Sequence, residues 1–208
     1  MSIAAADTIA ARYRALRDEV GPEVTIVVAT KYVPLGEMSA LVEAGVEVVG
    51  ENRAQDLTAK HAAYGDAFRW HFIGHLQSNK AKVVSAVCEL VHSLDSESSA
   101  RRLTIPALLE VNLSGEGSKS GVDPSAIAGF VAGFPSIRGL MTMPPLASDA
   151  ESSRPYFRRL RELAEEHGLR DLSMGTSQDY RVAVEEGATY VRVGARLFDD
   201  PSAEPGQG

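Results

Sequence analysis

Short and almost continuous runs of apolar residues recur along the whole chain, separated by more polar segments. Runs rich in valine and isoleucine, without polar alternation, are typical of strands buried on both faces of a parallel sheet. The sequence therefore predicts a series of buried strands. They are Val24–Thr30, Val46–Gly50, Trp70–Gly74, Leu90–Leu94, Ala107–Leu113, Ile137–Met143, Leu172–Gly175 and Tyr190–Gly194.

Helices are predicted between most of these strands, where apolar residues recur at helical spacing. A further amphipathic helix before the first strand is expected to cover the gap beside the last strand. The connection between the fourth and fifth strands has room only for a short helix, Glu97–Leu103. The other predicted helices are Gly36–Ala44, Asn52–Ala63, Asn79–Ala86, Pro124–Ala132, Glu151–His167 and Gln178–Glu186.

The alternation of strands and helices determines the predicted fold class. Such alternation is typical of a parallel sheet covered by helices, and this number of units favours a closed barrel over an open sheet. We therefore predict an α/β fold, a single (β/α)8 TIM barrel, over residues 1–199. Residues 200–208 are predicted to form a polar tail.

The composition limits which partners and which cellular compartment are expected for the protein. The 208 residues are 44% hydrophobic and 24% charged, as in ordinary globular proteins. A net charge of −7 argues against a surface for nucleic acid or anionic membranes. The chain has one cysteine, Cys88, which excludes an internal disulfide and is expected to be a small buried apolar residue. No apolar run approaches the length of about 18 residues that spans a bilayer, and no secretory or transit signal is recognisable, so we expect a cytoplasmic protein.

Lys31 follows the first predicted strand, on the same face as Val27 and Ala29. In barrels of this kind, functional residues lie at the carboxyl ends of the strands. A buried lysine is costly unless it is paired, neutral or chemically used, and a neutral, partly desolvated lysine is what imine formation with an aldehyde requires. The alternative is a lysine that merely extends from the strand end to solvent.

Ser177 and Gly194 follow the seventh and eighth predicted strands. The loops after these two strands often form a phosphate site in TIM barrels. Ser177 is predicted to be the N-cap of the helix that follows it, and amides at a helix start together with a serine hydroxyl are good phosphate donors. The alternatives are an ordinary helix cap and a glycine required only for packing.

Arg192 shares a strand face with Gly194 and is therefore expected to point into the barrel. A buried arginine stays protonated and needs an acceptor, which a ring nitrogen or a carboxylate would provide. The alternative is an ion pair with the inward-facing Glu110. The five histidines show no metal-binding spacing, so a metal site is not expected.

Motifs over nearly the whole chain resemble those of one known family. They are Ala29-Thr-Lys31, Gly50-Glu-Asn-Arg-Ala-Gln55, Trp70-His-Phe-Ile-Gly-His-Leu-Gln-Ser-Asn-Lys80, His92-Ser-Leu-Asp95, Val111-Asn-Leu-Ser114, Lys119-Ser-Gly-Val122, Arg138-Gly-Leu-Met141, Leu172-Ser-Met-Gly175 and Val191-Arg-Val-Gly194. With these motifs the chain resembles the pyridoxal phosphate homeostasis proteins, also called proline synthase co-transcribed homologues.

The resemblance implies a cofactor, pyridoxal 5′-phosphate (PLP), and the residues that bind it. It implies that the protein takes part in intracellular PLP homeostasis, because members bind PLP and influence its cellular supply without an established turnover. The implied residues are Lys31 as the Schiff-base lysine, Asn52 beside the cofactor, Ser177, Gly194 and the amide of Ala195 at the phosphate, and Arg192 at the pyridine nitrogen.

Two departures from the family pattern affect this expectation. The chain has Ala195 where the family commonly has threonine, so one hydroxyl contact to the phosphate is absent. The segment after Asp95 is also shorter than usual, which is expected to loosen that side of the barrel. The roles of His75 and Lys80 stay open between a second phosphate-bearing ligand and a cap on the loop after the third strand.

The main alternative function is a PLP-dependent enzyme, since the predicted barrel resembles the N-terminal domain of alanine racemases and of PLP-dependent decarboxylases. A racemase needs a second base, which those enzymes take from a C-terminal β-domain that this chain lacks. An arginine at the pyridine nitrogen also weakens PLP as an electron sink. The expectation is therefore a monomeric, non-catalytic carrier, with PLP-dependent apo-enzymes as candidate partners. A third alternative, imine formation with a sugar carbonyl, is disfavoured because class I aldolases carry their lysine on a later strand.

Overall fold

Parallel strands close into a barrel in the computed structural model, which describes residues 3–115 and 120–198. Each strand pairs with its neighbours in chain order, and the last strand pairs with the first. The closed (β/α)8 barrel predicted from the sequence is thereby confirmed. The strands are β1 Thr25–Ala29, β2 Val48–Glu51, β3 Arg69–Phe72, β4 Leu90–Leu94, β5 Ala107–Glu110, β6 Ile137–Met141, β7 Asp171–Ser173 and β8 Tyr190–Val193.

Helices lie between the strands and cover the outside of the barrel. Short 3₁₀ turns precede three of them, and the residues before these turns are Pro34, Asp123 and Asp149. The helices are α1 Ala6–Val20, α2 Ser39–Glu43, α3 Ala54–Tyr64, α4 Ala81–Ser85, α5 Glu97–Ala100, α6 Ile127–Gly133, α7 Arg154–Glu166, α8 Tyr180–Glu185 and α9 Ala195–Phe198.

Helix α1 covers the junction where β8 meets β1, as predicted. It packs against α2, α8 and α9, which are the helices on either side of that junction. Its inward face is apolar and includes the fully buried Ile9 and Leu16. Near its middle, Arg12 Nη1 donates a hydrogen bond to the carbonyl oxygen of Leu197 in α9, 2.8 Å away. The helix therefore closes the barrel wall on its outer side.

The interior of the barrel differs from its wall. Between the sheet and the helices lies a continuous apolar core. Inside the barrel, a small apolar cluster of Leu90, Leu108 and Met141 fills only part of the space. Buried polar side chains, among them His92 and Arg192, occupy the remainder. Since buried polar groups are costly without hydrogen-bond partners, this interior requires a connected polar network.

Several predicted boundaries differ from the structure. The first strand ends at Ala29, and the fifth ends at Glu110 because Val111 pairs only through an isolated bridge in the following loop. Helix α9 was not predicted, since it has only four residues. The short connection after Asp95 holds the four-residue helix α5, and the barrel closes there with a register shift between β4 and β5. The predicted tail, residues 200–208, and the predicted domain end at residue 199 lie outside the described residues.

Candidate functional site

A cavity of about 930 Å³ opens at the carboxyl ends of the strands. Its volume lies in the range of small-molecule and cofactor sites. Loops after β1, β2, β3, β6, β7 and β8 all contribute to its lining. The structure brings together in this cavity every residue that the sequence predicted for the site, namely Lys31, Asn52, Ser177, Arg192, Gly194 and Ala195.

Lys31 lies in a turn at the cavity mouth rather than in the strand. The amide of Val33 donates to the carbonyl oxygen of Thr30, 2.9 Å away, and this turn begins directly after β1. Lys31 is exposed, and its Nζ lies 4.6 Å from the ring centroid of Tyr32. The expectation of a buried strand lysine is therefore wrong, because the chain leaves the strand before Lys31. Lys31 still lines the cavity.

Asn52 follows β2 and presents a polar group without a partner. Its Oδ1 atom is buried and has no hydrogen-bond partner among the described residues. The backbone amide of Asn52 donates to Glu51 Oε2, 3.3 Å away. A Cβ atom on Gly74 would lie 2.1 Å from the carbonyl oxygen of Asn52, so only glycine allows this close approach. Because a side-chain amide offers a donor and an acceptor, Asn52 is suited to bind a polar ligand in the cavity.

Ser177 and the segment after β8 form one corner of the cavity. Ser177 Oγ accepts hydrogen bonds from the amides of Gly194, at 3.2 Å, and Arg196, at 3.3 Å. The predicted N-cap role of Ser177 is wrong, since α8 begins after Asp179, whose carboxylate accepts from Thr176 instead. Ser177 therefore joins two loops. Because its oxygen accepts from both amides, the Ser177 hydroxyl can donate its own proton to an anion in the cavity.

Arg192 lies beneath the cavity and is 7% exposed. Its Nη2 donates to the carbonyl oxygen of Thr142, at 3.1 Å, and contacts Met143 Sδ, at 2.8 Å, while its Nη1 donates to Ser173 Oγ. Burial lowers the pKa of Arg192 to about 10, against the opposing effect of nearby carboxylates. The guanidinium therefore stays protonated at neutral pH and is held by uncharged acceptors.

Glu110, the partner considered for Arg192 in the sequence, has a different partner. Its Oε1 accepts from Ser120 Oγ at 2.5 Å. Burial raises the pKa of the Glu110 carboxyl, and the hydrogen bond from Ser120 opposes this effect. Arg192 and Glu110 influence each other's pKa electrostatically, while the hydrogen bonds of the Arg192 side chain in the described residues go to Ser173, Thr142 and Met143.

A hydrogen-bonded chain that the sequence reasoning missed extends from Arg192 across the barrel. Ser173 Oγ lies 2.7 Å from His92 Nδ1, and His92 Nε2 lies 2.9 Å from His71 Nδ1. Since a guanidinium can only donate, Ser173 accepts from Arg192 and gives its single proton to His92. His92 then carries its ring proton on Nε2 and donates it to His71.

His71 and His92, the two histidines of this hydrogen-bond network, are both neutral. Burial lowers the pKa of His71 to about 3 and that of His92 well below its usual range. The network is consequently uncharged beyond Arg192, and its dipoles all point the same way. The available signal in the sequence was the presence of polar residues at inward positions of the otherwise apolar strands β3, β4 and β7.

The loop after β3 contributes His75, whose Nδ1 lies 3.2 Å from Asp95 Oδ2. His75 lines the cavity and is largely exposed, and Lys80 immediately precedes α4. Their roles stay open.

Within residues 3–115 and 120–198, no cluster of histidine, cysteine or carboxylate side chains is suited to hold a metal ion. In the same ranges, every helix is too short or too polar to span a membrane.

Comparison with known proteins identifies the type of barrel. Residues 5–201 match the family model "Alanine racemase, N-terminal domain", so the chain is an alanine-racemase-type barrel. A lysine/ornithine decarboxylase from Vibrio vulnificus has a TM-score of 0.71 at 15% identity over 92% of this chain and 62% of its own. At that identity, the likeness concerns the fold alone.

More similar proteins define the family. A pyridoxal phosphate homeostasis protein from Aquifex aeolicus is 40% identical over 83% of this chain and 85% of its own. One from Pseudomonas aeruginosa is 38% identical over 91% of both chains. The structure of PipY from Synechococcus elongatus with PLP bound has a TM-score of 0.83 at 34% identity, covering 91% of this chain and 99% of PipY. The chain belongs to the family of pyridoxal phosphate homeostasis proteins.

Proposed function

We propose that this protein binds PLP in the cavity and takes part in intracellular PLP homeostasis. The observation that carries this proposal is that three kinds of group line one cavity: a lysine, a buried guanidinium, and a corner with hydrogen-bond donors suited to a phosphate. These groups match the aldehyde, the pyridine nitrogen and the phosphate of PLP, respectively. The names of the relatives and the PLP-bound PipY structure support the same assignment.

Each of the six residues has a distinct role in the proposal. Lys31 holds PLP as a Schiff base, and Asn52, whose side-chain oxygen lacks a partner among the described residues, binds a polar ring substituent. Ser177 and the amides of Gly194 and Ala195 bind the phosphate. Arg192 donates to the pyridine nitrogen. When bound, PLP supplies an aldehyde that condenses with an amine and a ring that withdraws electrons.

We further propose that the protein is a carrier without catalytic turnover. Arg192 is a donor held by three acceptors, and a guanidinium at the pyridine nitrogen keeps that nitrogen unprotonated. An unprotonated ring withdraws electrons weakly, which disfavours racemisation and decarboxylation. The names of the relatives, which describe homeostasis rather than a reaction, support this proposal.

The cellular setting is also part of the proposal. We propose a cytoplasmic monomer that passes PLP to PLP-dependent apo-enzymes. The single cysteine, Cys88, is buried, and burial raises its pKa to about 12, so it is an inert thiol suited to a reducing compartment. Cell fractionation tests the location, sedimentation equilibrium tests the monomer, and reconstitution of an apo-enzyme with the PLP-loaded protein tests the transfer.

The test of PLP binding compares wild type with Lys31→Ala and Lys82→Ala after incubation with PLP and desalting. Lys82 is exposed on α4, and its removal leaves the cavity lining unchanged. Wild type and Lys82→Ala should show an absorbance band at about 420 nm, as expected for an imine of PLP, and Lys31→Ala should not. Borohydride reduction followed by peptide mass spectrometry should identify Lys31 as the modified residue.

Other outcomes of these experiments decide between the alternatives. A wild type without the band would contradict PLP binding, and trapping of a sugar phosphate by borohydride would then support the aldolase-like alternative. Lys31-dependent racemisation or decarboxylation of amino acids by the PLP-loaded protein would replace the carrier by an enzyme. The absorbance band of the PLP imine is expected for a carrier and for an enzyme alike, so the activity assay distinguishes between them.

A further inference from the structure

A buried ion pair lies directly behind the ends of β1 and β2. Lys60, on α3, donates from Nζ to Glu51 Oε1 at 2.5 Å and to the carbonyl oxygen of Thr30 at 2.7 Å. Thr30 Oγ1 donates to the same Glu51 Oε1 at 2.6 Å. The three residues are between 0% and 5% exposed. Together these bonds form a closed triangle of Lys60, Glu51 and Thr30.

The chain connects this triangle to two residues of the cavity. Thr30 is the residue before Lys31, and Glu51 is the residue before Asn52. The second oxygen of Glu51, Oε2, accepts from the backbone amide of Asn52 at 3.3 Å. The triangle thus holds two backbone groups in place. They are the carbonyl group of Thr30, just before Lys31, and the amide group of Asn52. Neither Lys60 nor Glu51 lines the cavity itself.

Stability alone does not account for this arrangement. A buried ion pair contributes little net stability compared with apolar side chains of similar volume, because both charges lose their hydration. Leu57, three residues before Lys60 on the same face of α3, is fully buried, so an apolar replacement for Lys60 would extend an apolar helix face. A geometric role, in contrast, requires directed hydrogen bonds, which apolar residues do not provide.

We propose that Lys60 and Glu51 are positioning residues that fix the directions in which Lys31 and Asn52 enter the cavity. The proposal rests on the proposed PLP binding for its effect on the cofactor. Lys60 acts through Thr30 on Lys31, and Glu51 acts through its bond to the Asn52 amide. Small displacements of reacting groups have large effects on covalent bond formation, so the loss of the triangle should slow capture of PLP by Lys31.

The test uses the paired variant Lys60→Met/Glu51→Leu, which removes both charges together and avoids an unpaired buried charge. The matched control is Arg69→Met/Glu89→Leu, which removes an exposed ion pair with an N–O distance of 2.8 Å. For each protein we would measure the melting temperature, PLP affinity and the rate of borohydride-trappable attachment to Lys31. Amide hydrogen exchange of the unliganded protein would be measured over residues 30–33 and 51–53.

The paired variant should fold with a melting temperature near that of wild type. PLP attachment should slow by about tenfold or more, and exchange should accelerate in the two segments while the rest of the chain is unchanged. The control should match wild type in all four measurements. Wild-type PLP attachment and affinity in the paired variant would overturn the positioning role.

The exchange measurement separates this proposal from PLP binding. If wild type does not bind PLP while exchange of residues 30–33 and 51–53 still accelerates in the paired variant, the positioning role stands and the proposed cofactor is wrong. If wild type binds PLP and the paired variant shows unchanged exchange and attachment, the cofactor stands and the positioning role is wrong. Should the paired variant fail to fold, Thr30→Val provides the second measurement, since it removes the hydroxyl bond to Glu51 Oε1 and keeps both charges. Attachment should again be slower than in wild type, and attachment at the wild-type rate would overturn the positioning role.

Discussion

The side-chain oxygen of Ser177 lies 3.2 Å from the backbone nitrogen of Gly194, although the two residues belong to loops after different strands. This contact joins the loops after β7 and β8 at the corner where we place the phosphate of PLP. It also explains why Ser177 does not cap α8, because its hydroxyl is directed across the barrel mouth. While its oxygen accepts from the amide of Gly194, the hydroxyl can rotate to donate its own proton to an anion.

Replacement of Ser177 by alanine should weaken PLP binding. A hydrogen bond to a charged group contributes about 1.5–3 kcal/mol, so the dissociation constant for PLP should rise by about tenfold or more. Fluorescence or absorbance titration with PLP measures this change. Ser98→Ala, which removes an exposed hydroxyl in α5, is the control and should bind as wild type does. Equal affinities of the two variants would contradict the phosphate role of Ser177.

Replacement of Ala195 by threonine should strengthen PLP binding. Ala195 is exposed at the start of α9 and lines the cavity, so a hydroxyl there can reach the phosphate. One added hydrogen bond of about 0.5–1.5 kcal/mol corresponds to about a two- to tenfold gain in affinity. Ala195→Val has nearly the same shape without the hydroxyl and should show no gain. A gain in both variants would point to packing instead of hydrogen bonding.

Replacement of Gly74 by alanine should damage the site. The added Cβ would lie 2.1 Å from the carbonyl oxygen of Asn52, so the backbone at Asn52 must move. Overpacking of this kind costs about 1–3 kcal/mol, and the displaced amide should lower PLP affinity by about tenfold. Gly36→Ala, where a Cβ meets nothing within 4 Å, should leave both stability and affinity unchanged. Calorimetry and PLP titration measure the two effects separately.

Acid should destabilise the protein through His71. Its pKa falls from 6.5 to about 3 on folding, because burial disfavours the charged ring. Between these values the unfolded chain binds the proton and the folded chain does not, so stability is fully present above pH 6.5 and falls as the pH decreases towards 3. One such proton changes the free energy of unfolding by up to about 1.4 kcal/mol per pH unit.

The variant His71→Asn tests this pH dependence. An asparagine amide oxygen can replace Nδ1 as the acceptor for His92, but it does not titrate. Its melting temperature should fall less steeply than that of wild type between about pH 6.5 and pH 4. His167→Asn, outside the barrel interior, is the control and should follow wild type. Parallel melting curves for wild type and His71→Asn would contradict the assignment of a neutral His71.

The sequence alone determined the barrel and the location of its site. Continuous apolar strands that alternate with helices favour a parallel sheet buried on both faces, and the carboxyl ends of its strands meet at one edge. The positions of Lys31 and Arg192 at those ends therefore predicted that they share a cavity. Local signals were sufficient because strand period and strand order fix which end and which face a residue occupies.

The tertiary structure decided what these residues contact. The bond from Ser177 to Gly194 and the hydrogen bonds through His92 join segments that lie far apart in the sequence, whereas the turn that exposes Lys31 is local. The burial of Lys60 against Glu51 is of the same kind, since helical spacing places Lys60 on the face of Leu57 but does not show which residue it contacts. Whether two groups form a hydrogen bond depends on differences of a few tenths of an ångström in the distance between them. Only the packing of the barrel fixes these distances.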